Sequence, residues 1–280
     1  MNSFLDHCFM LVKTGSRPEH MPMVYSHAYV LSGFSFVFEK FKGQDQMYKI
    51  PYILEKMVIE APSKSIGRKY LPEYVQLFYS VVRSVARNEF FETVNSDAIK
   101  SVFGLINCFT NDTACLLLKR TMFIIIKELK EAEESDGKST EYPYKSEVLA
   151  YFINNYRMQM FDTKDPIYKN ELASFCEIFI DFRPHEIIYF QSYYSAIFNL
   201  AFSLGKSKFC TQVSLKLFNN YLIPMKEQLG DYHTFKNLQI EEMKKNGIPV
   251  NSEKKETLDF DTIVFLINQA IDSIKPLIKK

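Results

Sequence analysis

Residues 71–86 read LPEYVQLFYSVVRSVA. Tyr74, Phe78, Val81, Val82 and Val85 fall at i, i+4, i+7, i+8 and i+11, one face of a helix; at a period of two the same residues scatter over both faces. SDAIKSVFGLINCFTND at 96–112 repeats the pattern with Ile99, Val102, Phe103, Ile106 and Phe109, and Asn95 or Ser96 is placed to cap its start. TACLLLKRTMFIIIKELKE at 113–131 sets Cys115, Leu118, Met122, Ile125 and Leu129 in a 3–4 alternation that starts near Asn111 or Asp112. Only Thr110 to Thr113 separates these two helices, and short connections make antiparallel neighbours. Amphipathic helical hairpins are therefore the predicted unit of the fold.

The same rhythm extends both ways. Upstream, Val24, Ala28, Leu31 and Phe38 predict a helix closed near Gly43, with a shorter one over Pro51 to Ile59. Downstream, Glu131 to Pro143 is charged and aperiodic around Gly137, and predicts a surface loop and a seam within a single domain spanning 1–280. Val148, Leu149, Phe152 and Tyr156 resume the helical register near Lys145. Asp165-Pro166 reads as an N-cap and first helical residue, opening a helix through Leu172, Phe175, Cys176 and Phe179 that Arg183-Pro184 ends. Ile187, Tyr194, Ile197, Ala201 and Leu204 form the next, with Gly205 as its stop. Phe209, Val213, Leu217 and Tyr221 precede Pro224, expected to end or bend their helix. Gly230 to Glu256 is polar, with a loop marked by Gly247 and Pro249. Ile263, Leu266, Ile267, Ala270 and Ile274 then predict a last helix from about Asp259 to Pro276. Strand alternation is missing. About eleven helices pairing at roughly 40-residue intervals give an all-α fold, an α-solenoid of HEAT or armadillo type, with a compact bundle as the competing architecture because no consensus residues recur.

Composition agrees with a folded chain: 280 residues are 47% hydrophobic and 24% charged. Lys plus Arg is 34 against 33 for Asp plus Glu, so the net charge of +1 gives no bulk attraction to nucleic acid or anionic membrane. With 25 Phe, 17 Tyr and no Trp, the core is expected to be rich in rings. The five cysteines, Cys8, Cys108, Cys115, Cys176 and Cys210, are scattered and form no C-x-x-C pair, which reads as free thiols in a reducing, intracellular setting. Met1 to Lys13 lacks the basic-then-apolar order of a signal peptide, and no stretch approaches the ~18 apolar residues of a membrane span.

Catalytic motifs fail on inspection. Gly205-Lys206-Ser207 has Leu200 where a phosphate-binding loop needs glycine, and it follows a helix. His185-Glu186 begins a zinc-protease string that Tyr189 breaks. His7, His20, His27 and His233 show no metal-ligand spacing, and Gly-x-Ser-x-Gly does not occur. Glu131, Glu133 and Glu134 sit in the charged stretch, where solvation is the simplest reading. No catalytic, cofactor-binding or metal residue is assigned. Basic clusters remain as candidate contacts for nucleic acid or a partner: Arg83 and Arg87 on one helix face, Lys119-Arg120, and Lys206-x-Lys208, with Lys244-Lys245 and Lys254-Lys255 as further pairs.

Arg68-Lys69-Tyr70 followed by LPEYVQLFYSVV, then the helix pair at 96–131 with Lys119, Arg120 and Phe123, resembles the C-terminal HEAT-repeat region of exportins, in the importin-β-like karyopherin superfamily. The aromatic-Gln helix YFQSYYSAIF at 189–198 and Phe235-Lys236-Asn237 extend the resemblance over residues 68–237, and members that export tRNA are the nearest in pattern. Exportins are several times longer, and their Ran-binding N-terminal repeats have no counterpart, so no Ran contact is carried over. The resemblance implies a non-catalytic binding protein of nucleus and cytoplasm that takes tRNA or protein cargo. The alternative is a general helical-repeat scaffold in trafficking or ubiquitin pathways.

Overall fold

A computed structural model describes residues 62–86, 101, 103–134, 142–208, 210–245 and 253–278. The helices predicted over Val24–Phe38 and Pro51–Ile59, and Arg87, lie outside these. The described residues form nine α-helices and no strand: α1 (Leu71–Ala86), α2 (Asn111–Glu134), α3 (Tyr142–Asp162), α4 (Ile167–Asn170), α5 (Leu172–Glu177), α6 (Gln191–Ser207), α7 (Thr211–Leu217), α8 (Ile223–Lys245) and α9 (Glu253–Ile278). The protein is all-α. Among the described residues no helix is long and apolar enough to cross a membrane. The chain divides into two compact units, residues 1–128 and 129–280, at a point inside α2 and just ahead of the predicted seam.

In the first unit Tyr74, Phe78 and Val81 of the predicted α1 stripe are buried, and Tyr74 and Phe78 meet Phe109 at ring-centroid distances of 4.9 and 6.2 Å. A short extended contact, Ile66 N–H to the Cys108 carbonyl (3.0 Å) and Thr110 N–H to the Ile66 carbonyl (2.9 Å), ties the approach to α1 to the approach to α2. The Tyr79 hydroxyl, on α1, donates to the Glu128 carboxylate. Along α2 the predicted positions Cys115, Leu118, Met122 and Ile125 are all buried.

In the second unit the long helices α3 and α6 run in one direction. Tyr193 N–H donates to Ser146 Oγ at 3.3 Å across a separation of 47 residues, and Arg157 Nη1 donates to Ser203 Oγ at 3.4 Å across 46. A constant separation along both helices makes α3 and α6 parallel. Between α8 and α9 the partner number falls as the first rises, from Lys226–Asn268 to Tyr232–Phe260, so these two are antiparallel. Since α7 leaves from the end of α6 and continues into α8, the contact of Gly205 with Ser273 brings the ends of α6 and α9 together pointing the same way. α4–α5 and α7–α8 carry the chain back, and they touch through Phe179–Tyr221 (6.1 Å between centroids) and the Lys216–Glu177 ion pair (2.8 Å).

Several boundaries differ from the sequence expectation. Gly205 does not stop α6: the helix runs to Ser207 and Lys208, at φ 53°, takes the left-handed position. The glycine serves packing instead, because a Cβ there would lie 2.4 Å from Ser273 Oγ and 2.8 Å from its backbone. Pro224 does not end its helix either. A π-helical turn, Phe218–Leu222, precedes it, and Arg183 Nη1 donates at 2.7 Å to the Asn220 carbonyl, which proline's missing N–H leaves without its α-helical partner. Glu131–Glu134 and Tyr142–Pro143 are helical, so any loop there is confined to 135–141, outside the described residues. α8 continues to Lys245 through the first part of the polar stretch from Gly230, and the loop marked by Gly247 and Pro249 lies outside the described residues. Asp165 accepts from Ile167 N–H at 3.0 Å, but the N-cap position falls on Pro166, one residue later than predicted, and the helix is split at Glu171.

Candidate functional site

The second unit carries an open cleft of about 940 Å³. It is lined by Lys130 and Glu133 from the end of α2, by Pro224, Glu227, Gln228 and Asp231 from the start of α8, and by the segment Asp181 to His185. That segment is held by its carbonyls. Tyr193 hydroxyl donates to Phe182 O at 3.3 Å, Tyr194 hydroxyl to Pro184 O at 2.6 Å, and Gln228 Nε2 to the same Pro184 O at 3.3 Å. Arg183 is spent on the Asn220 carbonyl and, at 3.3 Å, on that of Ile180. Burial pushes the phenols of Tyr193, Tyr194 and Tyr221 well above their usual range, so all three stay protonated. Tyr221 hydroxyl lies within electrostatic reach of Tyr193 without a hydrogen bond of ordinary geometry.

Glu133 is not simply solvated, as the sequence reading had it. Burial raises its carboxyl above the ordinary value of 4.5, more than the nearby His185, its hydrogen-bonded backbone N–H and Lys130 lower it, and Glu186 adds to the rise. The folded protein therefore holds this proton more tightly than the unfolded chain. Stability should fall as pH climbs from about 4.5 through the raised folded value, and the contribution should be flat on either side. In Glu133→Gln that slope should vanish, which urea titrations across this pH range will read; an unchanged slope would assign the pH dependence to other groups.

The cleft sets four acidic groups, Glu133, Asp181, Glu227 and Asp231, against Lys130, His185 and Arg183, whose charge its neutral carbonyl partners leave in place. Such a lining disfavours a phosphate backbone. Of the basic residues singled out by sequence, Lys206 and Lys208 of the same unit are not part of its lining. Lys119 is half-buried and Arg120 exposed on α2 in the first unit; Arg83 lies in α1, its side chain outside the description. Lys206 and Lys208 are exposed at the end of α6, and Lys206 Nζ rests 5.5 Å from the Phe202 ring centroid. Among the described residues no group of three or more His, Cys, Asp or Glu is arranged to hold a metal ion. Cys108, Cys115 and Cys176 are buried free thiols, and Cys210 is half-buried.

Glu133 and His185 were the cleft residues hardest to foresee. They come from the end of one helix and a turn some fifty positions on, and His185-Glu186 drew notice only as an incomplete metal motif. The chain matches no protein-family model and no curated protein at a significant level.

Proposed function

We propose that this protein is a non-catalytic binding module, an α-solenoid segment of HEAT type, organised like the C-terminal part of an exportin and engaging a protein partner. The observation that carries this is the parallel run of α3, α6 and α9, with a 46- to 47-residue separation between the first two and return helices between successive members. Repetition of one helical unit in one direction is the geometry of solenoids, which bind through extended surfaces rather than enclosed pockets. The cleft supports the same reading, since Arg183, Gln228 and the buried tyrosines act there on backbone carbonyls. Residence in nucleus and cytoplasm belongs to this proposal, on the resemblance alone; Ran is no part of it.

tRNA as cargo is the second reading, favoured by the exposed Lys206, Lys208 and Arg120. The two separate in one experiment: quantitative affinity purification with and without RNase before elution. A stoichiometric protein partner that survives RNase supports the proposal. Loss of all partners on RNase treatment, with tRNA affinity falling steeply between 50 and 200 mM salt on the order expected for several phosphate contacts, moves the function to RNA. Absence of any stoichiometric partner overturns the binding-module reading.

A further inference from the structure

The seam between α3 and α6 carries a charge that no described residue compensates. Between residues 148 and 161 the only charged side chain of α3 is Arg157, and α6 contains Lys206 and no acidic residue. Arg157 Nη1 makes one long hydrogen bond, 3.4 Å to Ser203 Oγ, and its Nε is buried without a partner. Ser203 gives its own proton to the Asn199 carbonyl at 2.8 Å, so it meets the guanidinium only as an acceptor. No carboxylate among the described residues pairs with Arg157. Lys206 folds back over Phe202, next to Ser203, and so adds a second cation on the turn of α6 that Arg157 reaches.

Beside these cations lie two large apolar side chains that face solvent. Met158 is 53% and Phe161 43% exposed, whereas Leu149, Phe152, Tyr156 and Met160 on the opposite face of α3 are fully buried. A half-buried guanidinium with an orphan N–H is costly alone and is satisfied best by a carboxylate approaching its planar edge. Exposed apolar surface alongside calls for bulky apolar side chains.

We infer that the α3–α6 seam docks an acidic amphipathic segment of a protein partner, whose carboxylate pairs with Arg157 and whose apolar residues cover Met158 and Phe161. The inference rests on the binding-module reading and names the surface and the partner chemistry. Exposed Met and Phe side chains beside a single guanidinium favour a protein segment over nucleic acid, where a regular run of phosphates carries the affinity.

The test is selection of a displayed library of random 16-residue peptides against the full chain, with the selected consensus synthesised and titrated by fluorescence anisotropy. Enriched sequences should carry Asp or Glu within one helical turn of Leu, Ile, Phe or Met. Affinity should fall about tenfold or more in Arg157→Glu and in Met158→Asp, each checked for unchanged helicity and melting, with Arg157→Gln and Met158→Ser as milder replacements if either fails to fold. A peptide with its acidic residue replaced by Lys should recover binding to Arg157→Glu. Enrichment of basic peptides, or binding indifferent to both substitutions, overturns this surface while leaving the binding module intact. A concentration-dependent dimer that Met158→Asp dissolves gives the seam to a second copy, and tRNA binding lost in Arg157→Glu gives it to RNA; either overturns the inference. Failure of every peptide together with absence of an RNase-resistant partner sinks both readings.

Discussion

Tyr156→Ala should lower the unfolding free energy of the second unit by about 3–5 kcal/mol, the range for removing a fully buried aromatic ring from a packed core. Tyr156 stacks on Phe175 at 3.7 Å between centroids and 8° between planes, and packs edge-on against Tyr168 at 5.2 Å. Its hydroxyl donates to the Tyr168 carbonyl at 2.7 Å, so one side chain joins α3 to both α4 and α5. Removing the ring opens a cavity bounded by rigid rings that collapse poorly, and strands a buried acceptor besides. Tyr156→Phe separates the two effects: it keeps the stack and loses only the hydrogen bond, for about 1 kcal/mol. Urea denaturation followed by circular dichroism measures both. An alanine variant within 1 kcal/mol of the phenylalanine one would mean that the ring contributes little and that the packing described around it is wrong.

Gly205→Ala is the second large effect, and its sign runs against helix propensity. In an exposed helix interior, alanine is favoured over glycine by about 1 kcal/mol. At Gly205 the added carbon would meet Ser273 Oγ at 2.4 Å and, more seriously, the Ser273 carbonyl carbon and oxygen at 2.8 Å. A hydroxyl can rotate away; the α9 backbone moves only if the two helices separate. Overpacking of this kind costs about 1–3 kcal/mol, so the clash outweighs the propensity gain. Gly230→Ala is the matched control, because nothing lies within 4 Å of a Cβ built there on α8. Thermal melting should place Gly205→Ala below the parent and Gly230→Ala at or above it. A Gly205→Ala protein as stable as the parent would show that α6 and α9 do not approach as closely as this.

The sequence made the helical faces legible and the pairings between helices mostly not. Tyr74, Phe78, Leu118, Met122, Phe152, Tyr156, Ile263 and Ile267 were readable as core because burial of one face leaves a 3.6-residue trace in a single segment. Gly205 was misread because a helix stop and a close helix crossing both select glycine, and only the residue on the opposing helix tells them apart. Pro224 was expected to end or bend its helix; the Arg183 guanidinium that satisfies the freed carbonyl lies 37 residues earlier, beyond any local pattern. Glu133 looked solvated for the same reason, since its burial depends on the distant turn at His185. Arg157 left no mark at all, because a lone arginine in a helix is ordinary until its surroundings are found to lack an acid.

The two kinds of helix pairing in the second unit also differ in how they form. Contacts between α8 and α9 draw closer in sequence toward their connection, so that hairpin closes progressively, each contact shortening the loop left for the next. Contacts between α3 and α6 stay 46 to 47 residues apart along their length, so whichever forms first must close a loop of that length. The longer closure makes the α8–α9 hairpin the earlier event in folding and the parallel seam, where Arg157 sits, the later one.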